Sequence, residues 1–132
     1  EKPFGILQSP ARVIVGKESG QTTPTVKAEN IVKMWSRMYG PCRENAVWLI
    51  NQDVEPQLYT MTVGTGGANL AVYLPPGGLS SSPYATLMGR PVIPVEFCNT
   101  LGTEGDIVLA DLSQYLTGTR NGIQSLASAH VF

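Results

Sequence analysis

The sequence predicts an α+β fold in which a short mixed β-sheet is flanked by two helices. Apolar residues recur at three- and four-residue steps across residues 25–39, which is typical of an amphipathic helix. Residues 45–51 form a nearly continuous apolar run with polar ends, as expected of a buried strand. Short β-branched runs separated by turn residues follow residue 90. At 132 residues the chain is predicted to be one domain around one core.

The composition favours a surface that is covered by other subunits. Hydrophobic residues make up 42% of the chain and charged residues only 14%, against about 25% in an average protein. Depletion of charge is typical of buried interface cores, although a neutral, adhesive monomer would have the same composition. The net charge of −1 disfavours nucleic-acid binding, sequence-specific or otherwise, because such binding requires a basic surface.

Cysteine usage and hydropathy predict a reduced, cytoplasmic, soluble protein. Cys42 and Cys98 lie far apart without metal-ligand spacing, whereas a disulfide scaffold normally has several pairs. No apolar run is long enough to span a bilayer, and no signal peptide is recognisable, so no membrane association is predicted. The chain opens with Glu1, Lys2 and Pro3 and has no initiator methionine, so a processed fragment is expected.

The first predicted elements are a strand and a helix. Residues 12–15 read as a short β-branched strand that a glycine-containing turn ends. The amphipathic helix of residues 25–39 follows, with Trp35 on its apolar side. Gly40 and Pro41 end it, because glycine is common just past a helix terminus and proline cannot continue a helix.

The central strand and a second helix come next. Residues 45–51 contain Trp48 and are predicted to be buried on both faces of the sheet. Asp53 is predicted to cap a helix at residues 54–61, because its carboxylate can accept hydrogen bonds from the first N–H groups of a helix. Residues 63–89 are predicted to be mostly loop, since glycine, proline and serine predominate.

Four further strands are predicted in the second half of the chain. Residues 70–74 form a short apolar run that would hold the long loop in place. Residues 91–96, 106–110 and 113–116 follow as three more candidates, and the sequence beyond Arg120 is ambiguous between states.

No catalytic constellation is predicted. His130 is the single histidine, and no nucleophile-elbow motif is present. The glycine-rich residues 64–67 lack the lysine of a phosphate-binding loop, and the carboxylates lack the spacing of a calcium loop. No catalytic, cofactor-binding or metal-binding residue is therefore assigned. Trp35 and Trp48 are predicted to pack in the core.

Three segments carry a resemblance to a known family. They are residues 43–51 (Arg-Glu-Asn-Ala-Val-Trp-Leu-Ile-Asn), 87–94 (Leu-Met-Gly-Arg-Pro-Val-Ile-Pro) and 106–115 (Asp-Ile-Val-Leu-Ala-Asp-Leu-Ser-Gln-Tyr). In these segments the chain resembles the peripheral domain of the major capsid proteins of tailed bacteriophages, a fold that encapsulin nanocompartments share. The motif residues are Asn45, Ala46, Val47, Trp48, Gly89, Arg90, Pro91, Asp111, Ser113, Gln114 and Tyr115.

Physical reasoning predicts scaffold roles for these residues. Gly89 permits a turn that a residue with a β-carbon would resist, and Pro91 then begins a strand without needing a ladder donor. Asp111 and Ser113 can satisfy backbone donors in a turn.

The resemblance implies a structural subunit of a phage or prophage capsid and not an enzyme. Copies of the parent protein would assemble into hexamers and pentamers that enclose the viral genome, with this domain near the capsomer axis. The family's N-terminal arm, extended loop, spine helix and C-terminal return are not recognisable. Residues 1–132 are therefore expected to be a fragment that alone is monomeric or weakly associated. The candidate subunit-contact loop comprises Pro75, Pro76, Gly77, Gly78, Leu79, Ser80, Ser81, Ser82 and Pro83.

The same resemblance implies partners and a location. Besides its own copies, the full-length parent would meet a portal, a scaffold or a maturation protease, in a virion capsid made in the bacterial host cytoplasm. One alternative is an encapsulin-type shell around cargo enzymes. Another is a small hydrolase that uses residues 80–82 or Cys98 as nucleophile, with His130 as its base.

Overall fold

A computed structural model of the chain describes residues 4–63, 70–73 and 86–118. The strands and helices are β1 (Val47–Ile50), β2 (Thr62–Val63), β3 (Leu70–Ala71), β4 (Thr86–Leu87), β5 (Arg90–Pro94), β6 (Ile107–Ala110), α1 (Ala28–Arg37) and α2 (Glu55–Thr60). Four short 3-10 helices lie at Ile6–Gln8, Gly40–Asn45, Gln52–Val54 and Leu112–Gln114. In the part of the chain that the structure describes, no helix has the length and apolar character to cross a membrane.

The sheet is mixed, which confirms the predicted α+β class. Four strands lie in the order β4-β5-β1-β6, and β2 pairs with β3 in a separate two-stranded ribbon. The central strand β1 runs parallel to β5 and antiparallel to β6. A hairpin joins β4 to β5.

The core lies on one face of this sheet. The register places Trp48 between Val92 on β5 and Leu109 on β6, so these three side chains share a face. Elements on both sides of β1 in the sequence pack against them. The buried cluster comprises Ile31, Trp48, Ile50, Val54, Leu58, Met61, Tyr73, Leu87 and Val92.

The opposite face of the sheet is less buried than the sequence predicts. Leu49 stands in register with Ile93 and Val108, and all three point away from the core because side chains alternate along a strand. Leu49 and Val108 are half-buried and Ile93 is exposed. The prediction that residues 45–51 are buried on both faces is therefore wrong for this second face.

The first helix is confirmed, with shorter bounds than predicted. α1 begins at Ala28, where Asn30 Oδ1 accepts a hydrogen bond from Lys27 N over 2.9 Å. Its apolar side places Ile31 in the core and Trp35 against it. The Arg43 guanidinium lies 5.5 Å from the centroid of the Trp35 ring and covers its outer part.

The second helix is also confirmed, but its cap is not Asp53. A 3-10 turn, Gln52–Val54, precedes α2, and Asn51 Oδ1 accepts a hydrogen bond from Asp53 N over 3.0 Å. The chain therefore turns two residues earlier than the sequence predicts, and Asn51 is the residue whose side chain satisfies the first free N–H.

Two predicted strands are wrong. Residues 12–15 lie outside any strand and pair with no other segment that the structure describes, since β propensity alone does not supply a partner. Residues 113–116 do not form a strand because the 3-10 turn Leu112–Gln114 occupies this position. Of residues 70–74, only Leu70–Ala71 is a strand, and residues 64–69 and 74–85 lie outside the described part of the chain.

Candidate functional site

The three sequence motifs converge on one end of the sheet. β1 and β5 are parallel and both begin there, whereas β6 is antiparallel and ends there. Ala46 precedes β1, Arg90 begins β5 and Asp111 follows β6. This region, defined by Ala46, Trp48, Arg90 and Asp111, is named the motif end below.

Two side chains of the motif end bind backbone carbonyls across the sheet. Trp48 Nε1–H donates to the Leu87 carbonyl over 2.9 Å, and Arg90 Nε–H donates to the Ala46 carbonyl over the same distance. Trp48 and Ala46 are completely buried. Because an unpaired buried carbonyl is costly, each bond fixes how the β4–β5 hairpin sits against β1.

The hairpin turn uses two residues with positive φ. Met88 has a φ of 53° and Gly89 one of 73°, and the strands meet at the pair Leu87 and Arg90. Positive φ at both central residues is the pattern of a type I′ turn, whose twist matches that of the flanking strands. Glycine meets this requirement without strain, whereas methionine does not.

At the third motif, one carboxylate organises the turn after β6. Asp111 Oδ1 accepts hydrogen bonds from the Ser113 backbone N–H over 3.0 Å and from the Ser113 hydroxyl over 2.6 Å. The hydroxyl, the backbone N–H and the Cys42 thiol together hold the pKa of Asp111 below its usual value. Burial, followed by the Asp111 carboxylate, raises the pKa of Cys42.

The remaining motif residues are structural or exposed. Tyr115 donates from its hydroxyl to the Phe4 carbonyl over 2.6 Å and so holds the N-terminal segment. Val47 is half-buried. The other three motif residues are exposed: Asn45, Pro91 and Gln114.

Several residues considered from the sequence lie outside the described part of the chain. They are the candidate contact loop from Pro75 to Pro83 and the single histidine, His130. Of the nucleophiles that the hydrolase alternative requires, Cys98 lies among the described residues. Burial, and then the Asp106 charge, raise the pKa of that thiol, which opposes the thiolate that a nucleophile requires. Among the described residues, no group of three or more His, Cys, Asp or Glu side chains could hold a metal ion.

Sequence reasoning missed a large groove beside β6. Its volume is about 860 Å³, and its walls are the N-terminal segment (residues 4–17), α1 and β6. Eight exposed large hydrophobic side chains line it. They are Phe4, Ile6, Leu7, Val13, Ile14, Tyr39, Leu112 and Tyr115.

This concentration of apolar side chains is typical of an interaction surface, because isolated exposed hydrophobic residues are normally scattered. A signal for it exists in the sequence at residues 12–15, whose apolar run predicts a strand. The sequence does not show that this run remains unpaired beside β6.

Comparison with known proteins gives one match. A family model described as "Phage capsid family" matches residues 1–132. No curated protein and no solved structure matches the chain. The matched range extends well beyond the three motif segments and includes the N-terminal segment that lines the groove.

Proposed function

The chain belongs to the phage capsid family, and from that premise we propose that it is the capsomer-centre part of a shell subunit. Family membership gives a structural role in a virion capsid and association between copies. The finer proposal is that these copies form closed hexamers and pentamers around a phage genome. The observation that carries it is the family match over residues 1–132.

The arrangement of the motif end supports a structural role. Its polar side chains bind groups of the same chain: Trp48 and Arg90 donate to carbonyls, and Asp111 accepts from an N–H and a hydroxyl. These groups hold a hairpin, a central strand and a turn together. A subunit that must meet identical neighbours benefits from such a rigid frame, because a mobile interface loses conformational entropy on assembly.

Ring formation requires head-to-tail contacts, in which two different surfaces of the subunit meet. We assign one of these surfaces to the loop from Pro75 to Pro83, on the basis of its length and composition. In the full-length parent, a portal, a scaffold or a maturation protease would be further partners, and synthesis would take place in the bacterial host cytoplasm. The 132-residue chain alone is expected to be monomeric or weakly associated.

The test is expression of the complete reading frame that contains this chain, followed by sedimentation and electron cryomicroscopy of any particles. We expect closed shells with five-fold and six-fold capsomers, in which the β4-β5-β1-β6 sheet fits the density nearest each capsomer axis. A matched variant replaces residues 75–83 with a Gly-Ser segment of equal length. It should fold but form no rings.

Three outcomes would contradict the proposal. Subunits that fold but never assemble would contradict the proposed shell function. A sheet that fits only far from the axis would remove the capsomer-centre position. Shells that contain protein cargo and no nuclease-protected DNA would support the encapsulin-type alternative instead.

A further inference from the structure

The groove runs along the free edge of β6. This strand is the last in the sheet order β4-β5-β1-β6, and all four of its residues, Ile107–Ala110, line the groove. Successive side chains of a strand point to opposite faces, so a cavity lined by four consecutive residues must follow the edge between those faces. The edge is therefore accessible to another backbone.

Some backbone N–H and C=O groups of β6 point into the groove and away from β1. Asn51 N–H donates to the Asp106 carbonyl over 3.1 Å, which fixes which residues bond to β1. Because the ladder alternates, Val108 and Ala110 face β1, whereas Ile107 and Leu109 face the groove.

One of these outward groups is occupied within the chain. Asp106 Oδ1 accepts from Ile107 N–H over 2.8 Å, so the Leu109 N–H and the carbonyls of Ile107 and Leu109 remain for a partner. Among the described residues, no backbone group bonds to them. An edge in this state is a template for an added strand.

Residues 12–15 have the properties of the strand that would be added. Within the described ranges they pair with no other segment, and Val13 and Ile14 expose 57% and 52% of their surface. Their β-branched side chains favour a strand conformation. They line the same groove as β6 without pairing with it.

Contacts at both ends attach this segment to parts of the chain other than β6. The Arg12 guanidinium donates to the Leu7 carbonyl over 2.5 Å and pairs with Glu104 Oε1 over 2.7 Å. At the other end, Lys17 Nζ donates to Thr23 Oγ1 over 2.9 Å. Among the described residues, none of these contacts uses the backbone groups of residues 13–15, so a strand given to another copy can keep them.

We propose that residues 12–15 of one copy add as a strand to the free edge of β6 in a second copy. The identity of the partner rests on the proposed function, in which copies associate. Donor and acceptor line the same groove, so two copies related by a two-fold axis would pair twice. This self-complementary contact differs from the head-to-tail contacts of a ring.

Single-cysteine chains test the pairing. Native Cys42 and Cys98 are replaced by serine, and a chain with Val108→Cys is mixed with one carrying Val13→Cys or Ile14→Cys and oxidised with copper phenanthroline. Neighbouring residues of a strand point to opposite faces, so one of the two donor variants should couple to Val108→Cys about tenfold faster than the other. The matched control is Leu70→Cys in place of Val108→Cys, since Leu70 is 74% exposed and does not line the groove.

A second measurement needs no cysteine substitution. Sedimentation of the wild-type chain over a concentration series should show weak dimerisation that increases with concentration, and the double variant Val13→Pro/Ile14→Pro should dimerise about tenfold more weakly, because proline cannot donate to a ladder. The double variant should retain the wild-type thermal unfolding midpoint, since both residues are exposed.

The outcomes separate this contact from the shell function. Equal coupling of both donor variants and the Leu70→Cys control would overturn the strand pairing. Coupling inside a chain that carries both cysteines, at a rate independent of concentration, would show that the segment pairs with its own β6. Shells from the complete reading frame without the cross-link would leave the proposed function intact and this contact wrong.

Discussion

The motif end and the groove differ in how their polar backbone groups are satisfied. At the motif end, side chains of Trp48, Arg90 and Asp111 bind backbone groups of neighbouring segments. Along the groove, the outer edge of β6 has backbone groups that no other described residue bonds, and exposed hydrophobic side chains surround it. The first region completes the fold from within the chain. The second has the chemistry of a surface that another chain completes.

Family-pattern residues and groove residues are therefore largely different sets in this chain, although they overlap after β6. The motif residues with buried contacts stabilise the sheet, whereas the groove is lined chiefly by residues outside the motifs, with Asp111, Gln114 and Tyr115 as the exceptions. Substitutions should therefore affect unfolding at one region and association at the other.

The largest effect is expected from Trp48→Ala. The side chain is completely buried, so its loss should lower the free energy of unfolding by about 3–5 kcal/mol. Urea unfolding followed by far-UV circular dichroism measures it. Val32→Ala is the control on α1, where the side chain is 50% exposed and the change should stay within about 0.5 kcal/mol. Similar losses in both variants would contradict the central position of Trp48.

A smaller effect is expected from Gly89→Ala. The φ of 73° is a conformation that costs a residue with a β-carbon about 1–2 kcal/mol, so the free energy of unfolding should fall by that amount. Gly16→Ala is the matched control, because an added β-carbon there meets no atom within 4 Å and the backbone φ is not positive. If the two variants unfold at the same urea concentration, the hairpin turn does not constrain the motif end.

A pH-dependent effect is expected from Asp111→Asn. Hydrogen bonds from Ser113 lower the pKa of Asp111 in the folded chain, so the unfolded chain binds more protons in acid. The stability that ionised Asp111 contributes is present above its usual pKa of 3.8 and is lost as pH falls through the lower, folded value. Thermal midpoints between pH 7 and pH 3 should therefore decline more in the wild type than in the variant.

Ser113→Ala provides a second variant for that experiment. It removes the hydroxyl that lowers the pKa of Asp111 most, so its acid decline should be intermediate between the other two. Parallel pH curves for all three proteins would show that this carboxylate does not stabilise the motif end.

The smallest effect on unfolding is expected from Ile14→Ser. Its side chain is half exposed and its backbone joins no ladder, so the free energy of unfolding should change by at most about 0.5 kcal/mol. The urea experiment used for Trp48→Ala measures it. A loss comparable with that of Gly89→Ala would mean that the groove wall is part of the core, and the comparison between the two regions would fail.

The elements that the sequence predicts correctly are those whose pattern comes from their own burial. α1 is apolar at helical spacing because one side of it meets the core, and β1 is apolar because it is the central strand. Which segment a strand pairs with cannot be predicted from the apolar pattern of that strand alone. Residues 12–15 have the composition of a strand, but their neighbours are set by contacts with residues as distant as Glu104.

Local hydrogen bonds explain other differences. The Asp111 carboxylate draws Ser113 into a turn and so overrides the strand preference of residues 113–116. The positive φ of Met88 could not be predicted, because methionine does not favour it. It follows from the register that pairs Leu87 with Arg90. The groove could not be predicted for a related reason: β6 lies far in the sequence from the N-terminal segment and α1, which form its other walls.

The position of β1 in the sheet has a consequence for synthesis on the ribosome. Its partners come much later in the chain, since Trp48 pairs with Val92 and Ile50 with Ile107. At about 5–20 residues per second, translating the intervening roughly 60 residues takes about 3–12 s. Until β5 is made the apolar strand has no neighbour in the sheet, and until β6 is made one of its edges stays open, so the nascent chain exposes this strand for most of its synthesis.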